Sequence, residues 1–80
     1  MDIAKLRLFC TLASSLHFGR AANISHVSPS TLSRNIKQLE DDLGVTLFVR
    51  DNRSVILTHE GEQFLGFAKE VIQQWETYQE

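Results

Sequence analysis

Residues 19–44, GRAANISHVSPSTLSRNIKQLEDDLG, decide the fold. The segment 19–24 is short and holds Ala21 and Ala22, small enough to let another helix approach closely. Ser25-His26-Val27 reads as a turn. Ser28-Pro29 then marks a helix start, because serine caps a helix and proline is preset for its first position. That helix runs to about Leu43, with Leu32, Ile36, Leu39 and Leu43 on one face and Gly44 as its C-cap. Two helices joined by three or four residues, the second longer and headed by small polar residues, fit a helix-turn-helix. Opposite the apolar stripe stand Ser30, Arg34 and Lys37 at i, i+4 and i+7, with Thr31 and Ser33 nearby. The same helix ends in Glu40, Asp41 and Asp42. An acidic end is repelled by phosphate, so only the N-terminal half could enter a nucleic-acid groove. A solvated amphipathic helix would carry similar residues.

On the N-terminal side, Ile3, Leu6, Phe9, Cys10, Ala13 and Leu16 form a 3.6-residue stripe behind Asp2 as N-cap, predicting a helix to Ser15 or His17. On the C-terminal side, residues 46–50 (TLFVR) and 54–58 (SVILT) are β-branched and aromatic and flank Asp51-Asn52-Arg53, the pattern of a hairpin. Two strands alone are marginal, so the hairpin must lean on the helices. Arg50 and Arg53 bracket its tip, as a wing reaching a phosphate or a minor groove would have them, or as an ordinary surface turn would. Thr58 caps a long helix, with Glu60 in its first turn complementing the helix dipole. In it Phe64, Ala68, Val71, Trp75 and Tyr78 form a heptad seam widened by Leu65, Phe67 and Ile72. The chain stops within this helix at Glu80, so a longer protein is expected. The predicted fold is mainly α, with a winged helix-turn-helix over 1–58 and a linker or dimerisation helix over 59–80.

The net charge of −2 conceals an asymmetry. Residues 3–39 carry Lys5, Arg7, Arg20, Arg34 and Lys37 and no acid, whereas residues 59–80 set Lys69 against five glutamates. This fits a basic face on an acidic body. With 80 residues, 42% apolar and 22% charged, the chain is one small domain rather than a disordered or low-complexity segment. Such a short chain buries only about 60% of its unfolded surface, leaving little room for an enclosed active site. One cysteine, Cys10, excludes an internal disulfide and reads as a core residue of a cytosolic protein. No apolar run reaches the ~18 residues of a membrane span, and the N-terminus lacks signal-peptide features. His17, His26, His59 and Cys10 form no catalytic or zinc motif, so neither an enzyme nor a metal site is expected. Two rivals remain on the residues alone: a protein-docking module using the 64–78 seam, and a small enzyme fragment.

The run 17–65, HFGRAANISHVSPSTLSRNIKQLEDDLGVTLFVRDNRSVILTHEGEQFL, resembles the DNA-binding domain of the LysR-type transcriptional regulators. That family reads F-x-R-A-A, then V-S-x-x-x-L-S-x-x-I-x-x-L-E-x-x-L-G-x-x-L-F-x-R, then R-x-x-x-L-T-x-x-G, matched here over 18–22, 27–50 and 53–61. HFGR, HVSPSTLSR and LFVRDNR are most similar to the branch that activates isoleucine–valine biosynthesis. The chain departs at Pro29-Ser30-Thr31, where the family has Gln-Pro-Ala, so no base contact carries over to Pro29. It departs again at Ser25, where the family has a large apolar residue and Ile24 is expected to substitute. The resemblance implies a cytoplasmic regulator that reads double-stranded DNA as a homodimer on a pseudo-palindrome. It further implies an effector domain outside these residues that takes the inducer and supports a tetramer. No cofactor or membrane partner is implied. Ser30, Thr31, Ser33 and Arg34 would then probe bases, with Arg34 suited to a bidentate guanine contact. Ser28, Pro29, Arg20, Lys37 and Arg50 would position on the DNA backbone, and Arg53 would serve the wing. Phe64, Ala68, Val71, Trp75 and Tyr78 would carry the dimer.

Overall fold

A computed structural model describes the whole chain, Met1–Glu80. The elements are α1 (Ile3–Ser15), α2 (Phe18–Ile24), α3 (Pro29–Leu43), β1 (Phe48–Arg50), β2 (Val55–Leu57) and α4 (His59–Gln79). Three helices start on the caps the sequence marks. Asp2 accepts from the Lys5 amide at 2.8 Å, Ser28 from Thr31 at 3.1 Å, and Thr58 from Gly61 at 2.9 Å. The cap of α2 is His17, whose Nδ1 accepts from the Arg20 amide at 2.9 Å. Imidazole does here what a serine or aspartate usually does, and α2 begins at Phe18. Gly44 closes α3 in the left-handed region at φ 71°. His26, inside the turn between α2 and α3, also takes a left-handed φ of 59°.

Helix α1 runs through the middle. Its Leu6, Phe9 and Leu12 are buried with Ala21 and Ala22 of α2, with Leu32, Ile36 and Leu39 of α3, and with Leu47, Phe48 and Ala68. The Phe9 ring lies 5.4 Å from Phe48 and 5.0 Å from Phe64, centroid to centroid, so one side chain joins α1, the hairpin and α4. Leu43, expected on the buried face of α3, is only half-buried. Ile24 is 57% exposed and therefore does not substitute in the core for the large apolar residue that Ser25 replaces.

The hairpin is antiparallel, with Phe48 opposite Leu57 and Arg50 opposite Val55. Each strand is three residues long, shorter than the β-branched runs predict, because the Leu47 amide turns to Glu40 instead of the opposite strand and Thr58 becomes the cap of α4. Glu40 Oε2 of α3 accepts from the Leu47 and Phe48 amides at 2.7 and 3.3 Å. Thr58 donates its hydroxyl to the Thr46 carbonyl and its amide to the Leu47 carbonyl. The result is a winged helix-turn-helix with its wing fastened at the base to α3 and α4.

Helix α4 packs antiparallel on α1, since Phe9 meets Phe64 while Arg7 Nη1 meets Glu76 Oε2 at 2.9 Å. The predicted seam is accordingly split. Ala68 is fully buried, and Phe64 and Val71 pack against the core of the same chain. Trp75 and Tyr78 remain 40% and 81% exposed, and Phe67, at 49%, joins them on the outer flank. The cause is α1, which supplies the apolar cover that the heptad pattern assigns to a second chain. No helix is long and apolar enough to cross a membrane.

Candidate nucleic-acid interface

The α3 N-terminus is built as a hydroxyl cluster. Ser28 Oγ caps the helix, donates to Thr31 Oγ1 at 2.9 Å and lies 3.2 Å from Ser30 Oγ. Arg34 Nη2 donates to the same Thr31 hydroxyl at 3.4 Å, a long bond that holds the side chain only loosely. Ser30 and Arg34 are exposed, and Thr31 and Ser33 are half-buried. Lys37 is also exposed, with its Nζ 2.9 Å from Asp41. The hydrogen bond that Lys37 donates to Asp41, and then the Asp41 charge, push the Lys37 ammonium above its ordinary pKa.

An open groove of about 510 Å³ lies between the start of α2, the outer face of α3 and the wing. Ser30, Ser33, Arg34 and Lys37 line it with Phe18 and Arg50, and its floor is closed by Ile36, Phe48 and Glu40, whose carboxylate is spent on the Leu47 and Phe48 amides. The sequence-predicted α3 residues thus share one concave surface with the first wing arginine. Arg20 on α2 and Arg53 at the wing tip are exposed but do not line it. Pro29 occupies the first position of α3 at the exposed helix tip.

Two features, one in the groove and one at the wing tip, escape the sequence reading. Arg50 is not free: its guanidinium carbon sits 4.3 Å from the centroid of the Phe18 ring, and its Nη2 donates to Ser33 Oγ at 3.2 Å. Phe18 stands in the sequence only as the first letter of a motif, and nothing local ties it to a residue in a distant strand. At the wing tip, Asp51 Oδ1 accepts from the Arg53 and Ser54 amides at 2.8 and 2.9 Å. Those two bonds hold its carboxyl below the usual carboxylate range.

Nothing in the groove forms a nucleophile–base pair. Cys10 lies half-buried on α1, where burial pushes its thiol pKa up against the opposing pull of Lys69, so it is a poor nucleophile. The surface offers cations, hydroxyls and one helix N-terminus, which is chemistry for holding a polyanion and presenting hydrogen bonds to it.

A family model described as bacterial regulatory helix-turn-helix protein, lysR family, matches residues 3–62. The transcriptional activator IlvY of Salmonella typhimurium is 55% identical over 76 residues, covering 95% of this chain and 26% of that protein. The chain therefore spans about a quarter of the length of such curated relatives. Among solved structures, full-length OxyR from Pseudomonas aeruginosa superposes with a TM-score of 0.93 at 44% identity, covering 99% of this chain and 27% of that one. A complex of the CbnR DNA-binding domain with DNA superposes with a TM-score of 0.94 at 32% identity, covering 98% of this chain and 90% of that one.

Proposed function

The chain belongs to the lysR family of bacterial regulatory helix-turn-helix proteins, a family of regulators rather than enzymes, and from this premise we propose that it binds double-stranded DNA sequence-specifically. The observation that carries the reading is the groove, where exposed Arg34 stands on the N-terminal half of α3, exposed Lys37 one turn further on, and the acids Glu40, Asp41 and Asp42 follow in its last turn. The N-terminal half of α3 enters the major groove, whose width admits a helix. Arg34 reads a guanine edge with its planar fork, and Ser30 and Thr31 stand beside it at the helix tip. Lys37 exchanges Asp41 for a phosphate. Arg20, Ser28 and Pro29 position the domain on the backbone, and Arg53 carries the wing to backbone or minor groove.

The likeness to IlvY supports a narrower reading: the chain is the DNA-reading part of a longer cytoplasmic activator of branched-chain amino-acid biosynthesis. It works as a homodimer on a pseudo-palindrome through α4, and tetramers need the longer protein. Its DNA affinity is indifferent to branched-chain metabolites, since the inducer site lies outside these residues.

The test begins with selection of a binding site from random duplex DNA. Arg34→Ala and Lys37→Ala are then measured on that site and on a scrambled duplex across a salt series. Loss of Arg34 costs about 1–3 kcal/mol on the selected site and relaxes one position per half-site. Loss of Lys37 weakens both duplexes alike and lowers the salt slope by about one. Equal binding of selected and scrambled DNA by the parent chain overturns the reading.

A further inference from the structure

We propose that Arg50 is a positioning residue for sequence reading, which locks the wing to α3 and biases the Ser33 hydroxyl to donate toward a base edge. The inference rests on the DNA-reading function proposed above. Arg50 is the last residue of β1, Phe18 the first of α2, and Ser33 stands on the second turn of α3. One guanidinium therefore joins three elements that the chain order keeps apart. Its carbon lies 4.3 Å from the Phe18 centroid, well inside the ~6 Å reach of a cation–π contact. No carboxylate lies within ion-pair distance of it, so the aromatic face and the Ser33 hydroxyl are its partners. The base of the wing has other fastenings, in Glu40 and Thr58. At the distal end of β1, Arg50 is the side chain that reaches back to the helices.

The bond has a chemical direction. Arginine only donates, so Ser33 Oγ must accept, and a serine hydroxyl has one proton and two lone pairs. Accepting from the cationic Arg50 at 3.2 Å polarises the Ser33 hydroxyl on the groove lining, making its proton a better donor and its remaining lone pair a poorer acceptor. Ser33 then prefers an acceptor on the major-groove edge, such as purine N7, guanine O6 or thymine O4, over the amino groups of adenine and cytosine. A serine without that partner turns its hydroxyl either way and discriminates less. An arginine spent on a phosphate would make no such choice. Lysine cannot replace it, because a point charge on a flexible stem lacks the planar face that lies over Phe18.

The experiment compares the parent chain with Arg50→Ala, Arg50→Lys, Ser33→Ala and Phe18→Leu, the last keeping an apolar filler while removing the π face. Base preference is profiled position by position within the selected half-site, and affinity for selected and scrambled duplexes is followed across salt. Arg50→Ala and Ser33→Ala are expected to relax the same base position, with about tenfold loss on the selected site and a smaller loss on the scrambled one. The double variant loses no more preference than either single one, because both remove one device. Arg50→Lys fails to restore the preference, Phe18→Leu relaxes that same position, and the salt slope of Arg50→Ala matches that of the parent. The proposal is overturned if Arg50→Ala weakens both duplexes equally with a salt slope lower by about one while Arg50→Lys restores binding, which describes a phosphate anchor. It is equally overturned if Arg50→Ala and Ser33→Ala relax different positions. A parent chain that fails to discriminate the two duplexes marks failure of the DNA-reading function itself, a result visible before any variant is made.

Discussion

Glu40 spends one carboxylate oxygen on two amides, those of Leu47 and Phe48, at the point where the chain leaves α3 and enters the wing. Leu47 is fully buried, so its amide has no water to turn to. Glu40→Ala therefore strands a buried donor and should destabilise the domain by about 1–3 kcal/mol in urea unfolding. Glu40→Gln keeps an acceptor oxygen and should lose clearly less. Gly61 is constrained by space: a Cβ there overlaps the Leu47 carbonyl oxygen and comes within 2.7 Å of Leu57 Cδ1. Backbone cannot yield as a flexible side chain can, so Gly61→Ala should cost about 1–3 kcal/mol or more, read as a lowered Tm. Gly66, five residues along the same helix, has open space around its Cα. Gly66→Ala should instead stabilise by about 0.5–1 kcal/mol, through helix propensity alone.

Among the elements, the wing tip depends on pH. The Arg53 and Ser54 amides depress the Asp51 carboxyl, so the unfolded chain binds that proton more readily than the folded one. The contribution of the turn is present above the ordinary carboxylate pKa and is lost as pH falls through the lowered one. The amide shifts of Arg53 and Ser54 should therefore titrate below the usual carboxylate range by NMR, and Asp51→Ala should abolish that titration. The three longer helices were legible because their apolar periodicity and their Asp2, Ser28 and Thr58 caps agree with one another. The polar face of α3 was legible for the same reason, since i, i+4, i+7 spacing fixes which side chains share a surface. The wing ends were not, because Thr46, Leu47 and Thr58 look like strand residues until Glu40 and the start of α4 claim their polar groups. His17 was missed as a cap because histidine seldom serves as one. The Arg50–Phe18 contact joins residues far apart in the chain, and no local pattern encodes it.

At the scale of the whole molecule, the seam on α4 could be recognised from its period but not apportioned. A heptad pattern says that apolar side chains line up, not whose helix covers them. Here α1 covers Phe64, Ala68 and Val71, while Phe67, Trp75 and Tyr78 stay on the outer flank. Dimerisation should therefore run through that flank. Sedimentation should give a dimer at high micromolar concentration, and Trp75→Glu with Tyr78→Glu should give a folded monomer of unchanged far-UV spectrum. A parent chain that sediments as a monomer with solvent-like Trp75 fluorescence contradicts it. The fit of Gly61 against the hairpin has a mechanical side as well. The first turn of α4 is seated without slack on Leu47 and Leu57, Phe64 is wedged against Phe9, and Arg7 clasps Glu76. A helix of 21 residues is about 31 Å long, most of the 42 Å long axis of the molecule. Held at its foot and again near its far end, α4 moves with the other helices as one stiff piece. A tilt of about 5° at its foot carries its other end by nearly 3 Å. A load applied near Tyr78 would thus turn the whole domain rather than bend α4 away from the helices it is seated on.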